Sequence, residues 1–151
     1  MSRNFDNLLA ELGAAIGIPE LCANEDNICK LLFDEVAVSL ELCEDNESFY
    51  ICCALGQAGP DANPAQLAAL LDANYLFSGT GGATLGVDKT SGSIVMIRSE
   101  RLSALRQPQF LAVLEEFVNL AEFWQARLLE PFTSAEQDAP TDAIQDYGAR
   151  V

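Results

Sequence analysis

The stretch of residues 74–101 constrains the fold of this chain most strongly, because a helix pattern stops within it and an extended pattern begins. A cluster of glycines ends the helix pattern: Gly79, Gly81 and Gly82. Glycine accepts backbone conformations that other residues avoid, so the cluster is typical of a helix end. Two short extended runs follow at 83–87 and 93–98, joined by a polar turn that ends in Gly92. The stretch therefore predicts a helix, a glycine break and a β-hairpin, in that order.

A second extended region, residues 28–55, predicts a three-stranded antiparallel meander. In 36–43 and in 48–55, every second side chain is apolar, which gives each strand one apolar face. A shorter run at 28–33 precedes them, and acidic turns separate the three runs. A sheet with one apolar face needs other elements to cover that face.

Three segments carry apolar residues at helical spacing, namely 4–16, 64–77 and 108–129. Asn63 and Pro64 are typical of a helix N-terminus and mark the start of the second segment. The predicted element order is α-β-β-β-α-β-β-α. We therefore expect an α+β fold in which the helices cover one face of a twisted antiparallel sheet.

Composition and charge exclude several classes of partner. The chain has 151 residues, half of them apolar, and its net charge is −15 from 23 acidic and 8 basic side chains. Nucleic acids and anionic membrane surfaces are disfavoured as partners, because both require clustered lysine and arginine. No apolar run approaches the ~20 residues of a membrane helix, and the N-terminus lacks a signal-peptide pattern. These features predict a cytosolic protein that binds neither nucleic acid nor membrane.

The sequence offers little for catalysis, metal binding or cofactor binding. Five cysteines occur without histidine and without a C-x-x-C pair, so we expect free thiols, no metal and no cofactor. The adjacent Cys52 and Cys53 leave a thiol enzyme as an alternative. The glycine cluster lacks the preceding strand, the following helix and the lysine of a phosphate loop. Paired carboxylates lie at turns or on the expected solvent face of a helix, as surface charge does.

The ordered combination of these segments resembles the class I type III secretion chaperones, the Tir-chaperone family. Four pieces of sequence carry the resemblance, which covers about residues 5–130: 29–41, 74–88, 94–96 and 117–124. It implies a cytoplasmic chaperone of a Gram-negative bacterium, without enzymatic activity. Such a chaperone binds the N-terminal segment of a secreted effector and keeps it partly unfolded and competent for secretion. The secretion ATPase is a further partner that the resemblance suggests.

The resemblance also points to the surfaces that would bind these partners. The first helix and the meander have more apolar faces than their own packing obviously needs, and these residues are the predicted effector contacts: Leu9, Leu12, Ile16, Phe33, Val36, Val38 and Leu40. An error of one residue in strand facing would exchange the strand members of this set for their neighbours. A homodimer is implied, with the middle helix and the first hairpin strand at its two-fold axis: Leu67, Leu70, Leu71, Tyr75, Leu85 and Val87.

Residues 1–130 are expected to form one domain. From Pro131 the composition changes to acidic residues with little periodicity, so 131–151 is predicted to be a flexible acidic tail. A dimeric peptide-binding regulator of the same fold, not tied to secretion, is the main functional alternative to a secretion chaperone.

Overall fold

A computed structural model describes residues 5–58 and 62–133 of the chain. The described residues form three α-helices, one short 3₁₀ turn and five strands: α1 Phe5–Ile16, β1 Ile28–Phe33, β2 Val36–Leu42, β3 Ser48–Gln57, α2 Pro64–Asn74, the 3₁₀ turn Tyr75–Phe77, β4 Thr84–Val87, β5 Ser93–Arg101 and α3 Gln107–Leu129. The predicted α+β class and the predicted element order are both confirmed. Strands β3 and β5 extend two and three residues beyond their predicted ends at 55 and 98.

The five strands form a single sheet in the order β1-β2-β3-β5-β4, and every neighbouring pair is antiparallel. β5 returns from the edge strand β4 to pair with β3, so the hairpin extends the meander into one continuous sheet. One irregularity interrupts the ladder, at Ala54 and Gly56 of β3. The chain therefore has two sheet edges, at β1 and at β4.

Strand alternation separates a buried inner face of the sheet from an exposed outer face. The inner face carries the apolar residues that are buried in the core, among them Val36, Val38, Leu40, Phe49, Ile51, Ile94 and Met96. Helices α1 and α3 cover this face. Phe49 links them, since its ring centroid lies 5.8 Å from that of Phe5 in α1 and 5.6 Å from that of Phe110 in α3. Aromatic pairs at this separation stabilise a core beyond simple burial.

The break after α2 has the form that its glycines predict. Gly81 and Gly82 both have positive φ, at 57° and 94°, which side chains rarely allow. The indole Nε1 of Trp124 in α3 donates a 2.9 Å hydrogen bond to the carbonyl of Gly79. This bond holds the break against the last helix, so the hairpin starts from a fixed position.

The predicted tail begins inside the described residues but lies mostly outside them. The Arg127 guanidinium carbon stands 3.8 Å from the centroid of the Phe132 ring, and the carbonyl of Phe132 accepts a 3.1 Å hydrogen bond from Asn63 Nδ2. The chain thus returns from the end of α3 to the start of α2. Residues 134–151 lie outside the described part of the chain, and the domain boundary at 130 stays a prediction.

Candidate functional site

The edge strand β1 presents backbone groups that pair with nothing in the described part of the chain. The N–H of Ile28 donates to Asn24 Oδ1 at 2.9 Å, and its carbonyl accepts from the N–H of Asn24 at 2.9 Å. These bonds lie on the side of β1 away from β2. Because backbone groups alternate in direction along a strand, the N–H and C=O of Lys30 and Leu32 point the same way. The structure therefore leaves two consecutive outward-facing residues of β1 open for pairing.

The opposite edge, at β4, is occupied by a side chain. The amide of Asn74, the last residue of α2, donates from Nδ2 to the carbonyl of Leu85 at 2.9 Å and accepts from the N–H of Leu85 at 2.8 Å. The N–H of Ala83 is bound to the carbonyl of Thr80. Only Val87 keeps outward-facing backbone groups on this strand, among the residues described. The two edges of the sheet are therefore not equivalent.

The outer face of the sheet is partly apolar and has no helix over it in the described chain. Leu32 is 71% exposed, and Tyr50 and Ile97 are exposed on the same face. A cavity of about 540 Å³ crosses this face between β1 and the β4–β5 hairpin, lined by polar and apolar groups: Lys30, Ala37, Ser39, Glu41, Cys52, Ala54, Asp88, Val95 and Ile97 among them. Exposed apolar surface of this kind is typical of a protein-binding site.

Most of the predicted effector contacts lie in the core. Five of the seven are buried, and each is 0% or 1% exposed: Leu9, Leu12, Val36, Val38 and Leu40. Leu9 and Leu12 face the core from α1, and α1 and α3 cover the sheet face that carries the three β2 residues, so none of the five is exposed in the free protein. Ile16 and Phe33 are half-buried at the margin of the core. Contact of any of the seven with an effector stays a prediction.

The predicted dimer residues divide between core and surface. Leu70 and Leu85 are buried, whereas Leu67 is half-buried and Leu71, Tyr75 and Val87 are exposed. All three exposed residues lie on α2, the 3₁₀ turn or β4. Whether they form a dimer interface stays a prediction, and Leu70 and Leu85 are already used in packing the single chain.

Sequence reasoning missed two exposed apolar residues beside this surface, Leu76 and Phe77. Both have positive φ, at 50° and 56°, a conformation that is costly for bulky side chains. No sequence signal distinguishes them from the helix pattern that precedes them. With Leu71, Tyr75 and Val87 they form a surface that we call the α2 patch.

A groove of about 880 Å³ separates α2 from α3 next to the α2 patch. The alanines of α2 form one wall, and Phe123, Trp124 and Arg127 of α3 form the other. Phe123 is a further exposed aromatic residue. The small side chains of α2 thus create a depression in the surface of the single chain.

The adjacent thiols of Cys52 and Cys53 are poorly suited to nucleophilic chemistry. Burial raises the pKa of Cys52 to about 12, and the nearby Glu41 carboxylate adds to this increase. Burial alone raises the pKa of Cys53 to about 11. Reactive thiols need lowered pKa values, since the thiolate is the nucleophile. Among the described residues, no group of histidine, cysteine or carboxylate side chains could hold a metal ion.

The fold and these surfaces define a small α+β binding protein, and comparison with known proteins gives its family. The chain belongs to the Tir chaperone protein (CesT) family, whose model matches residues 7–125. The resemblance drawn from the sequence is thereby confirmed. No helix in the described part of the chain is long and apolar enough to cross a membrane.

One protein is similar to this chain both in sequence and in solved structure. The transcriptional anti-antiactivator ExsC of Pseudomonas aeruginosa is 30% identical over 156 residues, which span 100% of this chain and 99% of that protein. Among solved structures, the ExsC–ExsE complex matches with a TM-score of 0.69 and 26% identity, over 80% of this chain and 90% of that one.

Two more distant structures share the fold. The HopA1–SchA chaperone–effector complex matches with a TM-score of 0.69 at 18% identity, over 81% of this chain and 93% of that one. The Yersinia pestis type III secretion chaperone SycH, in complex with a fragment of YscM2, matches with a TM-score of 0.64 at 20% identity, over 80% and 99% of the two chains.

Proposed function

We propose that this protein is a cytoplasmic type III secretion chaperone that binds the N-terminal segment of a cognate effector and keeps it partly unfolded. The observation that carries the proposal is a family match over most of the chain, joined to apolar surface that the described chain does not cover. Related structures contain a chaperone with its effector, or a secretion chaperone with a partner fragment. A net charge of −15 would keep such an apolar surface soluble until the partner binds.

Binding rather than catalysis is part of this proposal. The raised pKa values of Cys52 and Cys53 favour protonated thiols at neutral pH. The proposal includes no cofactor. The secretion ATPase is part of the proposal only as a later partner of the loaded chaperone. Modification of the native protein by a thiol reagent, followed by effector binding, would test whether either thiol is needed.

A homodimer through the α2 patch is the assembly that we propose. Exposed apolar residues there would be buried against a second copy, and a self-complementary patch suits a two-fold interface. Leu71→Asp should give a monomer or an aggregate in light scattering, because the interface would bury an unpaired charge. Leu129→Asp is the matched control, since Leu129 is 89% exposed at the end of α3 and lies outside the patch. A Leu71→Asp variant that remains a folded dimer would place the interface elsewhere.

A regulatory role is the second candidate, and a specific observation favours it. The relative at 30% identity is named as a transcriptional anti-antiactivator, so a protein of this family can act on gene expression. In that case, this chain would bind a regulatory protein in addition to, or instead of, an exported effector. Both candidates use the same kind of peptide-binding surface and differ in the fate of the partner.

Co-expression with the product of the adjacent gene, followed by purification of the complex, tests the proposal directly. A chaperone should retain the N-terminal segment of that product in a protease-sensitive state. Deletion of the chaperone gene should then abolish export of the partner. If export is normal and transcription of the secretion genes changes instead, the regulatory candidate is supported and the chaperone candidate is contradicted.

A further inference from the structure

We propose that residues 134–139 of this same chain lie in the groove between α2 and α3 and close it in the free protein. The groove has a volume of about 880 Å³, and no residue of the described ranges 5–58 and 62–133 fills it. The inference goes beyond the proposed function, because it concerns the chain before any partner binds. Its tests use the free protein, so their failure leaves the proposed function untouched.

The last described residues of the chain are fixed at the entrance to this groove. Asn63 Nδ2 donates a 3.1 Å hydrogen bond to the carbonyl of Phe132, while Asn63 Oδ1 accepts a 2.9 Å bond from the N–H of Ala65. The guanidinium of Arg127, which lines the groove, stands over the Phe132 ring. One amide side chain therefore caps α2 and also holds the C-terminal segment. We call the Asn63–Phe132 bond the clip, and it starts residue 134 beside the wall that α2 contributes.

The length of that wall matches a short extended segment. The groove lining along α2 runs from Ala65 to Ala73, which are eight residue steps apart in the sequence. At a rise of 1.5 Å per residue, the wall is about 12 Å long. An extended chain advances about 3.3 Å per residue, so about four residue steps cover the wall. The segment from residue 135 to residue 139 has this length.

Alternation of side chains gives this segment one side without charge. Successive side chains of an extended chain point in opposite directions, so every second residue shares a side. One side consists of Ala135, Gln137 and Ala139, and the other of Ser134, Glu136 and Asp138. The uncharged side suits the groove, because small alanine side chains form most of its α2 wall and Asp72 in that wall would repel an inward carboxylate. Both carboxylates of the segment then face water.

An occupant from the same chain is compatible with the proposed homodimer. None of the five residues of the α2 patch lines the groove. A second copy can therefore bind the patch while residues 134–139 fill the depression beside it. Any other chain that uses the groove has to displace this segment first.

Methyl NMR of the full chain, isotope-labelled at its alanine methyl groups, gives the direct test. Ala135 and Ala139 should show nuclear Overhauser effects to Ala68 or Ala69, the half-buried alanines in the middle of the wall. Absence of these effects would overturn the proposal. Dilution of the labelled chain into excess unlabelled chain should leave them in the same proportion to effects within the core. Their loss on dilution would assign the groove to the segment of a second copy and would also overturn the proposal.

A pair of aspartate substitutions at adjacent positions tests the predicted facing. Ala135→Asp places a carboxylate against the apolar wall, which is costly, so the effects between Ala139 and the wall should be lost. Ser134→Asp is the matched control, because it adds the same charge on the side that faces water. That variant should keep the effects. Equal behaviour of the two variants refutes the predicted alternation.

Asn63→Asp separates the clip from the helix cap. Aspartate caps a helix about as well as asparagine, so α2 and the melting temperature should hardly change. The variant lacks the Nδ2 donor to Phe132, and the loss of one hydrogen bond should lower the equilibrium constant for docking of the segment about fivefold. The methyl shifts of Ala68 and Ala69 should then move toward their positions in Ala135→Asp. Shifts that stay at their wild-type positions would contradict the clip as the device that directs the segment into the groove.

Discussion

Replacing Leu12 by alanine tests whether the first helix serves the core or a binding groove. Leu12 is 0% exposed, and it belongs to the same buried cluster as its helix neighbours Leu8 and Leu9. The substitution removes buried apolar atoms and leaves a cavity where the surrounding side chains cannot fully relax. Leucine-to-alanine changes at such sites cost about 2–5 kcal/mol of unfolding free energy.

For a chain of this length, each kcal/mol lowers the melting temperature by about 2–4 °C, so a decrease on the order of 10 °C is expected. Differential scanning calorimetry of the free protein at one fixed concentration measures it. Leu129→Ala is the matched control, because the same atoms are removed from a leucine that is 89% exposed. That variant should stay within about 0.5 kcal/mol of wild type.

The opposite outcome would refute the assignment of α1 to the core. If Leu12→Ala melts as the wild type does and instead loses affinity for the effector segment, Leu12 belongs to a groove. Equal melting temperatures for Leu12→Ala and Leu129→Ala would show that helix α1 does not pack onto the inner face in solution.

Three further predictions concern a thiol, a side-chain cap and a glycine. The pKa of Cys52 in the folded protein is about 12, above its ordinary value of 9.0. Its protonated thiol therefore contributes stability below about pH 9, and this contribution is lost between pH 9 and 12. The unfolding free energy of Cys52→Ala, measured in urea, should therefore fall less over that pH range than the unfolding free energy of the wild type. Asn74→Ala removes both hydrogen bonds to Leu85 and should lower the unfolding free energy by about 1–3 kcal/mol in urea titrations, with Asn74→Asp falling between it and wild type. Gly81→Ala forces an alanine to φ 57° and should lower the melting temperature, whereas Gly86→Ala, where an added Cβ meets open space, should leave it nearly unchanged.

Local sequence signals predicted the elements of this fold well. Alternation in β2 and β3 fixes both the strands and the side chains that share a face, because the side-chain period of a strand is two. The Asn63 cap acts as predicted, since its Oδ1 accepts a 2.9 Å hydrogen bond from the N–H of Ala65. The glycine cluster likewise ends α2 as expected, and these helix-start and helix-end signals predicted the correct element order.

The binding surface was less predictable, for a physical reason. A core position and a binding groove both require apolar side chains. The alternating pattern of β2 therefore does not distinguish whether Val38 and Leu40 pack in the core or line a groove. Burial of that face depends on where α1 and α3 pack, and this is set by contacts distant in sequence. In α2, several apolar residues surround the helix, so the sequence did not reveal that Leu70 faces inward while Leu71 faces solvent.

Open and occupied edges depend on single side chains that carry no sequence signature of their own. In the sequence, Asn74 is simply a residue near the end of a predicted helix. In the structure, its side-chain amide makes the two hydrogen bonds to Leu85 that a neighbouring strand would otherwise make. Asn24 does the same for part of β1, with its side-chain oxygen and its main-chain N–H. Only the three-dimensional arrangement shows which backbone groups remain available.

The inequality of the two edges also limits how copies of this chain can associate through their sheets. Filaments grow when every added subunit presents a fresh edge to the next one, as in cross-β assemblies. A copy that paired here through Lys30 and Leu32 would consume its accepting edge and present the Asn74-capped strand to the following copy. Growth by strand pairing should stop at two chains, so a protein with an open β1 edge can accumulate without forming fibres.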